Sequence, residues 1–186
     1  MHEEGLLSPL KVVPLILKYK GELTMSKVEQ RLKELEIILP EPITPKFSYI
    51  PCNQTGNLVY LSGQDCRING ELMYEGKLGD DLTIEQGQEA ARQTIINCLA
   101  VLKAYIGDLD RVVKVVKLLG FVNSAPGFAE QPYVMNGASD LLMDVFGESG
   151  KHARSAIGTS ELPFHTPIEI ELIIEIKNDE EVVVGK

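Results

Sequence analysis

Arg111-Val112-Val113-Lys114-Val115-Val116-Lys117-Leu118-Leu119-Gly120-Phe121-Val122 decides how this chain folds. Valine and leucine stand on both phases of its alternation, the pattern of a strand buried on both faces. A turn over Asn123 to Gly127 follows. Beyond it, Val134, Ala138, Leu141, Leu142, Val145 and Phe146 recur at helical spacing, and Gly147 and Gly150 end that helix. Upstream, Thr83-Ile84-Glu85-Gln86 is a capping box that opens the longest helix. Its apolar face runs through Gly87, Ala91, Ile95, Cys98 and Leu102 to a stop at Gly107.

Further out, Asn57 to Gln64 reads as a strand and Gly70 to Tyr74 as its hairpin partner across a polar turn. Ala153 to Glu161 and Pro167 to about Ile176 are the last two strands. Val28, Leu32 and Leu35 mark an N-terminal helix from Ser26 to Glu36, capped by Ser26 with Glu29 three residues on; Pro40, Pro42 and Pro45 then mark a linker. The order β-β-α-β-α-β-β after an N-terminal helix predicts an α+β sheet with two helices on one face. Two helices cover one face only, so the other must meet something, and identical subunits are the economical cover.

At 186 residues the chain fits one domain with an extension. Met25 stands just before the first capping box, which makes residues 1–24 an added arm or a start-site artefact and residues 25–186 the domain. A hydrophobic content of 44% and a charged content of 24% are those of a soluble globular protein. The net charge of −9, without a lysine or arginine cluster, argues against nucleic acid as a partner. Leu10 to Leu17 is too short to span a bilayer, so no membrane is implied. Cys52, Cys66 and Cys98 have no CxxC spacing, and His2, His152 and His165 are far apart, so no metal site is expected. Reduced cysteines fit a cytoplasmic protein.

Arg154 lies near the start of the penultimate strand and Glu169 near the start of the last. If these two strands pair as a hairpin, a guanidinium and a carboxylate meet and can hold a small carboxylate beside a water. Without further context such an arginine is more often a structural ion-pair partner.

Several stretches, in this order and at these spacings, resemble the RidA/YjgF family of reactive intermediate/imine deaminases. They are Gly56-Asn57-Leu58-Val59-Tyr60-Leu61-Ser62-Gly63-Gln64, Gly107-Asp108-Leu109-Asp110-Arg111-Val112-Val113-Lys114, Ala153-Arg154-Ser155-Ala156, Glu161-Leu162-Pro163 and Ile168-Glu169-Ile170-Glu171. The resemblance covers about Ser26 to Ile176. Asn136-Gly137-Ala138-Ser139-Asp140-Leu141-Leu142 and Phe146-Gly147-Glu148 look like a longer branch of it.

This resemblance implies a chorismate-mutase-like fold in a homotrimer with a central barrel and clefts between subunits. It also implies cofactor-independent hydrolysis of 2-enamino or 2-imino acids to 2-keto acids and ammonia. On it, Arg154 grips the substrate carboxylate and Glu169 orients the attacking water, while Tyr49, Ser62, Gly63, Asn136 and Ala156 line the cleft. Ala156 stands where the deaminases often have cysteine, Asp65-Cys66 replaces an apolar-proline pair, and Phe164 and His165 make a bulky turn. The rival readings are a non-catalytic binder of small carboxylates and the ribonuclease or translation-inhibitor role reported for some relatives. The acidic charge argues against the last.

Overall fold

Thr83 caps the longest helix, α2 (Ile84–Ile106): its hydroxyl accepts from the Gln86 amide and the Gln86 side chain returns to the Thr83 amide. Gly107 ends the helix with φ +83°, a conformation open to glycine because it has no Cβ. The computed structural model describes residues 26–42 and 47–177. The expected N-terminal arm and the acidic run from Asn178 to Glu181 lie outside the described residues.

The other elements are α1 (Lys27–Glu34), β1 (Cys52–Thr55), β2 (Leu58–Leu61), β3 (Arg67–Ile68), β4 (Glu71–Leu72), β5 (Val112–Asn123), α3 (Gln131–Val134), α4 (Asn136–Phe146), β6 (Ala153–Thr159) and β7 (Ile168–Ile176). Five strands form one sheet in the order β1-β2-β7-β5-β6, and β3 and β4 form a separate small ribbon. Helices α2 and α4 cover one face. Ala91, Ile95, Cys98 and Leu102 of α2 are fully buried, as are Ile168, Ile170 and Ile174 of β7. Gly137 lets the two helices touch: a Cβ there would stand 2.7 Å from the carbonyl carbon and 2.8 Å from Cα of Gln88. The glycine inside α4 is therefore a packing residue, and it packs on a helix rather than on the sheet.

Two pairings differ from the sequence reading. β2 pairs with β1, not with the segment around Glu71; β4 pairs with β3 instead. The turn between β1 and β2 is the two-residue Gly56-Asn57, with Gly56 at φ +56°. Glycine and asparagine are the residues such hairpin turns favour. β1 itself, Cys52-Asn53-Gln54-Thr55, is polar and carries no hydrophobic alternation to announce it.

The second difference concerns β6 and β7, which do not form a hairpin. α3 and α4 carry the chain back over the sheet, so β6 lies parallel to β5, as such a crossover requires. β7 enters between β2 and β5, antiparallel to both. In the single chain β5 is buried on its helix-facing phase through Val115, Leu118, Gly120 and Val122, while Leu119 and Phe121 on the other phase are only half-buried. Tyr60 and Ile157 stay exposed on that uncovered face.

Candidate functional site

Alternation along β7 puts Ile168, Ile170, Leu172, Ile174 and Ile176 on the helices and Glu169, Glu171 and Glu175 on the opposite face. Glu169 is half-buried there, and among the described residues no donor or cation reaches its carboxylate. Burial raises its pKa above the ordinary glutamate range, and the charges of Glu171 and Asp65 raise it further. Gly63 makes this position possible. A Cβ on Gly63 would collide with the carboxylate, standing 2.8 Å from Cδ and 3.0 Å from Cγ of Glu169.

Tyr49, Ser62, Gly63 and Glu169, four of the residues expected at the site, line one cavity of about 670 Å³. The Ser62 hydroxyl donates to the Ile50 carbonyl at 2.7 Å, and its amide donates to Pro51 at 3.0 Å. Ser62 thereby fastens the segment that carries Tyr49. Sequence reasoning missed Phe47 and Arg67 on the same wall and took Phe164 only as a bulky turn residue. Arg67 is held by Asp65 Oδ2 at 2.9 Å and by the Gly70 carbonyl at 2.8 Å. Alternation gave no sign of Arg67, because β3 is only two residues long.

Arg154, Asn136 and Ala156 lie elsewhere. Arg154 pairs in register with Leu118, and Glu169 with Phe121. Leu118 faces the helices and Phe121 faces away, so the arginine and the glutamate stand on opposite faces of the sheet. Within one chain they are also two strands apart, about 10 Å, and about three residues offset, roughly another 10 Å. One subunit does not bring them together. Ala156, in register with Gly120, packs against the core on the arginine's face.

The guanidinium of Arg154 is aimed with care. Nη1 donates to Asn136 Oδ1 at 3.0 Å and to Ser139 Oγ at 3.0 Å, and Nη2 donates to the Pro132 carbonyl at 3.1 Å. Asn136 thus holds the arginine and does not line the cavity. His152 extends the chain: its Nδ1 lies 2.6 Å from the Gly150 carbonyl, and its Nε2 lies 3.1 Å from Ser139 Oγ. A carbonyl only accepts, so Nδ1 carries a hydrogen. In the neutral ring Nε2 then accepts the Ser139 proton, which leaves a lone pair of Ser139 for Arg154. Among the described residues no carboxylate pairs with Arg154, and Nε and one Nη2 hydrogen have no protein acceptor. A planar fork fixed on one edge and open on the other suits a carboxylate ligand.

Among the described residues no three histidine, cysteine or acidic side chains gather as metal ligands, and no helix is long and apolar enough to cross a membrane. The three cysteines are buried free thiols, and burial pushes the Cys52 thiol up to about 11, away from nucleophilic use.

A largely antiparallel sheet with helices on one face, and an arginine and a glutamate displayed on opposite faces, define a class of protein. Residues 29–176 match the family described as "YjgF/chorismate mutase-like, putative endoribonuclease", and the chain belongs to this YjgF/RidA family. It is 42% identical over 153 residues to protein TCP17 of Trypanosoma cruzi, across 82% of this chain and 96% of that one. It is 31% identical over 141 residues to the 2-iminobutanoate/2-iminopropanoate deaminase of Dermatophagoides farinae, across 75% of this chain and 92% of the deaminase. Among solved structures, protein Atu1372 of Agrobacterium tumefaciens is 44% identical with a TM-score of 0.76, across 81% of this chain and 92% of that one.

Proposed function

We propose that this chain is the subunit of a cytoplasmic homotrimeric deaminase that hydrolyses 2-imino acids, or the enamines that tautomerise to them, to 2-keto acids and ammonia. The observation that carries this reading is Glu169: a half-buried carboxylate without a partner among the described residues, raised in pKa, at the wall of a cavity. A structural carboxylate is normally paired or solvated, whereas a general base needs a free oxygen and a pKa nearer neutrality. The likeness to the Dermatophagoides farinae deaminase supports the same chemistry.

Arg154 of the partner subunit supplies the carboxylate anchor, because the two residues of one chain face opposite ways. With the substrate held as its protonated imine, Glu169 takes a proton from water as the water oxygen bonds to C2, giving a neutral carbinolamine. The protonated Glu169 returns that proton to the nitrogen. The C–N bond breaks, ammonia leaves, and loss of the hydroxyl proton yields the keto acid. No electrons are exchanged with an outside group. The uncovered sheet face, with Tyr60, Leu119, Phe121 and Ile157, supports assembly through that face.

Subunit complementation tests both parts. Arg154→Ala and Glu169→Gln should each be inactive on the imine of alanine. Refolded together in equal amounts, they should recover about a quarter of the parental activity, since each shared site draws one residue from each neighbour. A mixture as inactive as its parents would sink the shared site. Keto-acid binding at that cleft without turnover by the parent would instead make it a carboxylate binder.

A further inference from the structure

Phe164 is placed where a phenylalanine is uncomfortable. Its φ is +59°, the next residue, His165, also has φ +59°, and Phe164 is 62% exposed. Bulky residues rarely adopt this conformation, and an outlier of this kind points to a local function. The ring is propped from one side: the Arg67 guanidinium carbon lies 5.1 Å from its centroid. Arg67 is itself fixed by Asp65 and the Gly70 carbonyl. The remainder of the ring, with Phe47 and Tyr49, walls the cavity that holds Glu169.

The cavity's size and charge narrow its occupant. In one subunit the cavity is half-open and measures about 670 Å³, within the roughly 300–1,000 Å³ of ligand sites. A three-carbon imino acid needs far less. Asp65 is ion-paired with Arg67, and among the described residues Glu169 is the charge on the wall without a paired cation. An acidic side chain is thereby disfavoured. Three aromatic rings around an apolar space favour a ring, which can stack offset or edge-on against them.

We infer, resting on the deaminase reading, that this cavity receives the side chain of an aromatic 2-imino acid and that Phe164, propped by Arg67, is the residue that selects it. The test compares imines of phenylalanine and alanine, generated in place by a flavin amino-acid oxidase, in the parent and in Phe164→Gly. Glycine accepts φ +59° without strain, so this variant should fold and melt no lower than the parent. The parent should favour the phenylalanine imine in kcat/KM by about tenfold, and Phe164→Gly should lose most of that preference. Equal or better use of the alanine imine by the parent overturns the inference and leaves the deaminase reading standing. If neither imine is hydrolysed, the deaminase reading falls. Calorimetric binding of phenylpyruvate against pyruvate then decides the selectivity, which is overturned if phenylpyruvate binds no more tightly.

Discussion

The carboxylate of Glu169 lies across Gly63, so close that a β-carbon there would stand 2.8 Å from its Cδ. One strand end therefore sets the position of the candidate base on another. The obstructing atoms belong to the tip of a flexible side chain, so the fold can yield where the chemistry cannot. Gly63→Ala is expected to reduce kcat at least tenfold while lowering stability by no more than about 1–3 kcal/mol, the usual range for a small overpacking. Steady-state kinetics beside urea unfolding would separate the two effects. Unchanged kcat in a folded variant would mean that the carboxylate's position is not critical.

Glu169 also ties activity and stability to pH with opposite signs. Burial and the neighbouring Glu171 and Asp65 raise its folded-state pKa, so ionisation opposes folding. Its contribution to stability is complete below the unfolded value, about 4.3, and is lost as pH rises through the raised folded value. Activity should rise over that same upper range as the carboxylate forms. Glu169→Gln should be inactive yet more stable at pH 7 by about 1 kcal/mol, with the gain vanishing below the ordinary glutamate range. Melting curves from pH 3.5 to 8 check this; a variant less stable than the parent at pH 7 contradicts it.

Ser139 aims Arg154 without facing the cavity. Ser139→Ala removes one of two acceptors on Nη1, leaving Asn136 Oδ1. A misaimed anchor weakens carboxylate binding, so KM should rise by about threefold to tenfold, one hydrogen bond being worth about 1 kcal/mol, with kcat nearly unchanged. Arg154→Lys, which keeps the charge and loses the fork, should raise KM further. Equal KM values in all three proteins would remove Arg154 from ligand binding.

Gly137 offers a purely structural contrast. A Cβ there meets the backbone of Gln88 at 2.7–2.8 Å, and a helix backbone cannot swing aside as the end of a side chain can. Gly137→Ala is expected to cost about 2–3 kcal/mol and to lower Tm by several degrees. Any loss of activity should follow the loss of folded protein, which circular dichroism and kinetics on one sample would show.

Much of this was legible in the chain. The capping box at Thr83 and the apolar stripe from Gly87 to Leu102 announced α2 because both are local signals read within a few turns. The alternation of Ile168 to Ile176 announced β7 for the same reason. The polar β1 was not announced, since its pairing with β2 depends on the Gly56-Asn57 turn and not on a hydrophobic pattern. The hydrogen bond from Arg154 to Asn136 was not announced either, since it joins residues 18 apart in sequence and no periodicity encodes it.

The sequence by itself determined the two long helices, the apolar strands and the family, because motif and periodicity are properties of neighbours along the chain. Only the tertiary structure decided how Arg154 and Glu169 relate. The α3–α4 crossover makes β6 parallel to β5, β7 inserts on the other side of β5, and the strand alternation then turns the two side chains to opposite faces. Strand order and facing are long-range outcomes of packing, and they set the arginine and the glutamate of one chain on opposite faces of the sheet.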